Sequence, residues 1–195
     1  KIEDKIPVLE SLINKADVLL IGGAMAYTFL QAQGKGVGKS MVEQDKLQIA
    51  TDIMKKAENS GVKLILPLDH VMATAPDSQE IALIADSYPL PEHLMGVDIG
   101  PKTIAEYEKH IKSAKTIFWN GPLGIFEIKP FSRGTVEIAR AVAESGAFSV
   151  VGGGDSIAAI HQAGVADRIS HISTGGGASL EYIAYGTLPG IEALK

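Results

Sequence analysis

The chain has 195 residues, of which 46% are hydrophobic and 21% charged, so it has enough apolar side chains for a sizeable core. Its net charge of −5 argues against a nucleic-acid partner, and no apolar run reaches the roughly 18 residues that cross a membrane. The absence of cysteine excludes disulfides, thiolate catalysis and cysteine zinc sites, and it fits a cytoplasmic protein.

Apolar periodicity predicts helices that alternate with short, continuously apolar strands. Pro7 suits the first position of the first helix, and Gly61 follows the end of the third. In chain order, the predicted elements are a helix at 7–15, a strand at 18–21, helices at 25–32 and 41–60, a strand at 62–68, a short strand at 81–85 in an irregular region, a helix at 101–113, a strand at 115–119, a helix at 134–145, a strand at 148–151, a helix after Asp155, a strand at 169–173 and a helix to about residue 185.

Strands that are apolar throughout are buried on both faces, and their alternation with helices indicates a parallel sheet. The predicted fold class is therefore α/β, a Rossmann-like doubly wound parallel sheet in three layers, α/β/α. No internal repeat or linker divides residues 1–195, so we expect one domain. Because the chain opens with Lys1 and a helix, we also expect it to be a fragment that lacks a preceding strand.

Four of the predicted strands end in glycine-rich turns, at residues 22–23, 120–122, 152–154 and 175–177. In an open parallel sheet, these turns all lie at the carboxyl edge, where ligands bind. Glycine lets the backbone come close to a phosphate group, which a Cβ atom would hold away. Four such turns at one edge favour a ligand with several phosphates.

The segment 149–160 places Asp155 directly after three glycines and at the start of an apolar helix. Free N–H groups at a helix start bind phosphate, but a carboxylate there repels it unless a divalent cation lies between them. Carboxylate oxygens are ligands that Mg²⁺ prefers, so Asp155 is a candidate metal ligand. The alternative is that Asp155 caps the helix and the glycines only form a tight turn.

Other candidate motifs are weaker. Residues 34–40 resemble a P-loop, but the pattern needs glycine in place of Gln33, and a helix rather than a strand precedes the segment. Glu127 follows a strand-end loop and has the chemistry to accept a hydrogen bond from ribose, or it is a solvated carboxylate. The five histidines show no spacing suited to zinc, and most are expected to be surface or packing residues: His70, His93, His110, His161 and His171.

Six segments together resemble the carboxyl-terminal, nucleotide-binding domain of the phosphoglycerate kinase family. They are residues 1–6, 21–29, 95–101, 119–127, 151–155 and 171–181. The resemblance covers the whole chain, and all six segments occur in the family's order. It implies that residues 1–195 are one domain of a two-domain kinase whose amino-terminal substrate domain is absent.

The resemblance also implies roles for individual residues. For adenine and ribose, the corresponding positions are Gly23, Ala24, Gly96 and Val97 beside the base, Met41 and Ile125 packed near it, and Glu127 on the ribose. For the phosphates and the metal, they are Lys5, Asn120, Gly153 and Ser156 near the nucleotide phosphates, Asp155 on Mg²⁺, and Lys1, Gly154 and Gly177 near the transferring group.

By resemblance, the full-length protein is a cytoplasmic, monomeric enzyme of glycolysis. It moves a phosphoryl group between 1,3-bisphosphoglycerate and ADP to give 3-phosphoglycerate and ATP. Phosphoryl transfer requires the protein to position the reacting groups and to neutralise their charge. Lysines, Mg²⁺ and helix-start N–H groups supply this. The 3-phosphoglycerate site belongs to the absent domain, so we expect this chain to bind MgADP or MgATP without turnover.

The chain departs from the family pattern at three places near the expected nucleotide. Ala24 replaces a frequent glycine, Ser156 replaces a frequent threonine, and residues 74–76 replace a common Asp-Lys-Phe sequence. The last change removes an aromatic side chain often found near the base.

Two other function classes stay open. A different Rossmann-like enzyme would need a G-x-G-x-x-G first turn, which residues 22–24 do not supply. A non-catalytic nucleotide-binding module would bind ADP without any kinase activity.

Overall fold

Helices and strands alternate through the computed structural model, which describes residues 1–175, 178, 179 and 182. The helices are α1 (Ile2–Leu12), α2 (Met25–Ala32), α3 (Leu47–Asn59), α4 (Pro101–Ser113), α5 (Arg133–Glu144) and α6 (Gly154–Gln162). The strands are β1 (Val18–Leu20), β2 (Lys63–Ile65), β3 (His70–Ala73), β4 (Leu83–Ala85), β5 (Met95–Ile99), β6 (Thr116–Asn120), β7 (Phe148–Gly152) and β8 (His171–Ser173). Short 3-10 helices lie at Gln44–Lys46, Lys129–Phe131 and Ala166–Arg168.

The strands of this described part form three hydrogen-bonded groups. β1 pairs with β2 in parallel, and β6, β7 and β8 form a parallel sheet in that order. These two groups confirm the predicted parallel arrangement of apolar strands. The third group has the order β4-β3-β5 and is antiparallel, which the sequence analysis did not predict.

In this group, β4 lies within the short strand predicted at 81–85, whereas β3 and β5 were not predicted as separate strands because they are not continuously apolar. β3 begins with the buried His70, and β5 contains Gly96 and the buried Asp98. A register shift between Val71 and Met72 further interrupts the ladder. The predicted strand at 62–68 was accordingly too long, since β2 ends at Ile65 and the chain turns into this second sheet.

Two large apolar clusters form the core on either side of the β1–β2 pair. One contains buried side chains of α4, α5, α6 and β7, and the other contains those of α1, α2 and α3. Tyr107 of α4 lies in the first cluster and extends its hydroxyl to the end of the β1–β2 pair. That hydroxyl donates to the carbonyl of Ile21 at 2.5 Å and lies 3.1 Å from the carbonyl of Ile65.

Two predicted helices begin elsewhere. α1 begins at Ile2 rather than at Pro7, because Ile2 is fully buried and its N–H donates to Oε2 of Glu43 at 2.5 Å. α3 begins at Leu47 rather than at residue 41, because the N–H of Glu43 donates to Oγ1 of Thr28 at 3.1 Å and keeps the preceding segment extended. By contrast, the predicted bounds 25–32 and 101–113 are confirmed to the residue.

The last predicted helix is only partly within the described region, where residues 178, 179 and 182 are helical. None of the helices that the structure describes is long and apolar enough to cross a membrane.

Candidate functional site

The turns after β6 and β7 lie side by side at the carboxyl edge of the parallel sheet. Asn120, the last residue of β6, is in register with Gly152, the last residue of β7. The side-chain amide of Asn120 donates to the carbonyl of Gly152 at 2.7 Å. The register thus brings together two glycine-rich turns that are far apart in the sequence.

Lys5 comes to the same edge from α1. Its Nζ donates to Oδ1 of Asn120, so the Asn120 amide contacts both the lysine and the β7 turn. Lys5 is half-buried, and this burial lowers the pKa of its ammonium group, while the nearby Asp4 acts in the opposite direction. A partly desolvated cation at this edge is well suited to contact an anionic ligand.

Lys1 directly precedes α1 and is exposed. It lies four residues before Lys5 in the sequence and is the N-cap residue of the helix. Of the two lysines predicted to contact phosphate, the structure brings Lys5 to the sheet edge through its contact with Asn120.

The start of α6 supplies backbone N–H groups to the site. The first hydrogen bond of the helix runs from the N–H of Ile157 to the carbonyl of Gly153 at 3.0 Å. The N–H groups of the first turn have no carbonyl partner within the helix. Gly154 and Asp155 lie in this turn and are exposed, so both backbone and carboxylate are open to a ligand.

Gly153 needs to be glycine for two reasons. Its φ is +94°, a conformation that side chains with a Cβ atom disfavour. A Cβ atom there would also lie 2.9 Å from Nδ2 of Asn120. The turn can therefore pack against Asn120 only as glycine.

Ser156 connects the turns after β6 and β7. It is fully buried, and its Oγ accepts a hydrogen bond from the N–H of Gly121 at 2.6 Å. Its hydroxyl thus ties the start of α6 to the turn after β6.

The turn after β1 packs against the turn after β6. Gly23 has a φ of +67°, and a Cβ atom on it would lie 3.0 Å from the carbonyl oxygen of Pro122. A Cβ atom on Gly22 would overlap the side chain of Leu123. The next residue, Ala24, is exposed at the start of α2. Three of the four predicted glycine turns are therefore in contact at one edge.

The fourth glycine turn follows β8 and is partly described. A Cβ atom on Gly152 would lie 2.9 Å from Oγ of Ser179, so the chain after β8 returns to the end of β7. Gly175 accepts a hydrogen bond at its carbonyl from the N–H of Ala178 at 2.9 Å. Gly177, predicted to lie near the transferring group, falls outside the described residues.

Two of the residues expected near adenine, Gly96 and Val97, lie on β5 and contact neighbouring segments. The N–H of Ile125 donates to the carbonyl of Val97 at 2.9 Å, and the N–H of Gly96 donates to Oγ of Ser40 at 2.9 Å. Met41 and Glu127 are both exposed. The structure thus joins Val97 with Ile125, and leaves Met41 and Glu127 open to solvent.

Ser40 is a contact that the sequence analysis missed. It ends the glycine-rich segment 34–40, which follows α2 rather than a strand and so does not form a P-loop. The segment instead packs on the approach to β5, where the N–H of Lys39 donates to the carbonyl of Leu94 at 2.8 Å. No local sequence signal distinguishes a serine that holds a distant glycine from any other loop serine.

Asp98 is a second residue without an assigned role in the sequence analysis. Its carboxylate accepts hydrogen bonds from the N–H of Ile99 at 2.9 Å and from the N–H of Gly134 at 2.8 Å, at the start of α5. Burial raises the pKa of Asp98 to about 7, although both hydrogen bonds act to lower it. Asp98 therefore fixes β5 to α5, next to Gly96 and Val97, which are expected near adenine.

The histidines behave mostly as expected. His93, His161 and His171 are exposed, and His110 pairs with Glu106 on α4 at 3.3 Å. His70 differs, because it is completely buried between two tyrosines.

Asp155 is the candidate ligand for a metal ion. No group of three or more His, Asp or Glu side chains able to hold a metal occurs in the described ranges. Mg²⁺ in nucleotide sites typically takes one or two carboxylates and completes its shell with phosphate oxygens and water. A single exposed carboxylate beside free helix-start N–H groups fits that mode of binding.

Comparison with known proteins identifies the relatives of the chain. The family model described as phosphoglycerate kinase matches residues 1–185. The phosphoglycerate kinase of Anaeromyxobacter sp. (strain K) is 55% identical over 195 residues, 100% of this chain and 49% of that protein. The one of Clostridium perfringens (strain SM101 / Type A) is 52% identical, with the same 100% and 49% covered.

Solved structures agree in both fold and sequence. A structure of phosphoglycerate kinase from Coxiella burnetii matches with a TM-score of 0.95 at 42% identity, over 100% of this chain and 50% of that one. The crystal structure of phosphoglycerate kinase from Pyrococcus horikoshii OT3 gives 0.85 at 35% identity, over 100% of this chain and 49% of that one. This agreement confirms the Rossmann-like α/β fold.

The chain spans about half the length of the relatives and structures that it matches. Over that half, the likeness extends from the first residue into the region after β8. The chain therefore belongs to the phosphoglycerate kinase family.

Proposed function

We propose that residues 1–195 form the nucleotide-binding domain of a phosphoglycerate kinase and bind MgADP or MgATP at the carboxyl edge of the parallel sheet. The observation that supports this most is the meeting of Lys5, Asn120 and the start of α6 at one place. The complete enzyme transfers a phosphoryl group between 1,3-bisphosphoglycerate and ADP to give 3-phosphoglycerate and ATP. We place the phosphoglycerate site in a second domain outside these residues, because the chain covers only 49% of a full-length relative.

The phosphates of the nucleotide bind between α1 and α6. Lys5 contacts them with its ammonium group, and the free N–H groups of the first turn of α6 point to the same side. Asn120 holds Lys5 and the β7 turn in place, and the Ser156 hydroxyl lies beside the phosphates. Because Gly153 and Gly154 have no side chains, the phosphates can approach the backbone closely.

Asp155 is the protein ligand of Mg²⁺. When bound, the ion neutralises phosphate charge and orients the phosphate oxygens. Without it, the exposed Asp155 carboxylate would repel the nucleotide at short range. The metal requirement therefore follows from the charge of this one residue.

The transfer step needs positioning and charge compensation rather than a covalent intermediate. Lys1, at the start of α1, compensates charge on the transferring group. The backbone N–H groups at Gly154 and Gly177 donate to the same group. Donors that are held in position before reaction would favour the transition state electrostatically.

The base and ribose lie on the side of β1 and β5. Gly23, Ala24 and Gly96 border the adenine, with Val97, Met41 and Ile125 near it. The exposed Glu127 accepts hydrogen bonds from the ribose hydroxyls. Family membership is also the basis for proposing a cytoplasmic enzyme of glycolysis that works as a monomer.

An activity measurement tests this function. The full natural polypeptide that carries these residues, supplied with 3-phosphoglycerate and MgATP, should release ADP, which a coupled assay follows. Residues 1–195 alone should bind MgADP and release no ADP. A full polypeptide that binds MgADP but never turns over would favour a non-catalytic nucleotide-binding module instead.

A further inference from the structure

A chain of three buried or half-buried rings connects α2, β3 and the loop after β4. His70 lies at the centre and is completely buried. Its Nδ1 is 3.0 Å from the hydroxyl of Tyr27, and its Nε2 is 2.8 Å from the hydroxyl of Tyr88. The rings are also in contact, with centroid distances of 5.2 Å and 5.9 Å from His70 to the two tyrosines.

The protonation of the chain follows from burial. Burial lowers the pKa of His70 to about 4, against the opposing effect of Asp69, so the imidazole is neutral at pH 7. Burial also raises the pKa of Tyr88 to about 12 and raises that of Tyr27, so both hydroxyls keep their protons. A neutral imidazole has one donor and one acceptor nitrogen.

The direction of the hydrogen bonds follows from the burial of the Tyr27 hydroxyl. Its hydroxyl is buried, and its hydrogen-bond partner among the described residues is His70. A buried donor without an acceptor is costly, so Tyr27 donates to Nδ1 of His70. The Nε2–H group then donates to Tyr88, whose half-buried ring also lies 4.8 Å from Nζ of Lys35.

This ring chain ends against Gly96. A Cβ atom on Gly96 would overlap the hydroxyl of Tyr27, so the hydroxyl occupies the space beside the glycine backbone. On its other side, the N–H of Gly96 donates to Oγ of Ser40 at 2.9 Å. Gly96 is thus held between a fixed hydroxyl and a serine, and the position of that hydroxyl depends on His70.

We propose that Tyr27, His70 and Tyr88 act as positioning residues that fix Gly96 at the base side of the nucleotide site, so that binding of the adenine depends on them. The inference rests on the proposed function, since Gly96 borders a base only if a nucleotide binds there. The three side chains do not touch the nucleotide themselves. They set the backbone surface that the base meets, and they leave the phosphate side, at α1 and α6, unchanged.

The test compares a ligand that has a base with one that lacks it. Calorimetry measures binding of MgADP and of magnesium pyrophosphate to the full natural polypeptide and to its Tyr27→Phe variant. Removing the hydroxyl leaves Nδ1 of His70 without its donor and frees the space beside Gly96. We expect the affinity for MgADP to fall about fivefold to tenfold and that for pyrophosphate to change less than about twofold.

Three further variants separate positioning from folding. His70→Gln keeps an acceptor, the amide carbonyl, and a donor, the amide NH2, and should retain MgADP binding within about threefold. His70→Phe should lose as much MgADP affinity as Tyr27→Phe does. Tyr88→Phe removes the hydroxyl at the half-buried end of the ring chain and should give a smaller loss of MgADP affinity. This variant provides the test if Tyr27→Phe does not fold. Tyr182→Phe, at an exposed tyrosine, should leave the affinity for both ligands unchanged.

The outcomes are distinct. Equal losses for both ligands would mean a structural role and would overturn the proposal, as would unchanged MgADP binding in folded Tyr27→Phe and Tyr88→Phe. A parent protein that binds neither ligand would overturn the proposed function and this inference with it. Selective loss of MgADP binding, restored in His70→Gln, supports the positioning role.

Discussion

Lys5 of α1 donates a hydrogen bond from Nζ to Oδ1 of Asn120, the last residue of β6, although 115 positions separate them in the sequence. Asn120 in turn donates to the carbonyl of Gly152 at 2.7 Å. A cation, an amide and a glycine turn are therefore linked before any ligand arrives. This linked group is the part of the site on which the proposed phosphate binding depends.

Replacing Lys5 with methionine should weaken MgADP binding about tenfold or more, because a charge-assisted contact to phosphate is lost. Stability should change little, since burial already disfavours the charged ammonium group. Calorimetry measures the affinity, and urea unfolding measures the stability. Lys112→Met, at an exposed position on α4, is the matched control and should bind as the parent does. Equal affinities in the two variants would remove Lys5 from the site.

Replacing Gly153 with alanine should both destabilise the fold and weaken nucleotide binding. The φ of +94° and the contact with Asn120 Nδ2 together should cost about 2 kcal/mol or more. Gly146→Ala is the control, because Gly146 also has a positive φ, +72°, but its Cβ atom would meet nothing within 4 Å. That variant should lose about 1 kcal/mol and keep its MgADP affinity. If Gly146→Ala weakened binding as much, the effect would come from general destabilisation.

Two buried groups should give the folding free energy opposite pH dependences. Burial raises the pKa of Asp98 to about 7, so between about pH 4 and 7 the folded state holds a proton that the unfolded state has lost. Stability from this group falls as pH rises. Burial lowers the pKa of His70 from 6.5 to about 4, so between about pH 4 and 6.5 the folded state lacks a proton that the unfolded state holds. Stability from this group rises with pH.

The two effects should largely cancel in the parent between about pH 4.5 and 6.5, each amounting to about 1.4 kcal/mol per pH unit at most. Asp98→Asn should therefore make stability rise with pH in that window, and His70→Gln should make it fall. Urea unfolding at half-unit pH steps measures both slopes. Slopes equal to that of the parent in both variants would show that neither group titrates as its burial indicates.

The sequence predicted elements best where local pattern and packing agree. α4 begins at Pro101 and α2 shows a clear apolar face, and the bounds of both were predicted to the residue. The predicted start of α1 was wrong because the N–H of Ile2 is bonded to Glu43, a contact across 41 positions that no local pattern contains. β5 was missed because Gly96 and Asp98 break its apolar run, and their partners come from elsewhere in the fold.

For the site, the sequence proposed candidate residues but not how they contact one another. Glycines at strand ends can be recognised in the sequence, because positive φ values such as those of Gly23 and Gly153 strongly favour glycine. The contacts of Ser40 with Gly96 and of Ser156 with Gly121 join segments that are distant in sequence. Such pairs follow from strand order and register, which no local pattern contains.

Binding of MgADP tests the central claim most directly. Calorimetry should be performed on the folded parent and on Asp155→Ala, each with and without EDTA, with Asp167→Ala as a control at an exposed aspartate beyond α6. We expect saturable binding to the parent and to Asp167→Ala, weakened by EDTA, and much weaker binding to Asp155→Ala with little further effect of EDTA. Binding of ADP that depended on neither Mg²⁺ nor Asp155 would contradict the metal assignment, and no binding by a folded parent would contradict the nucleotide site.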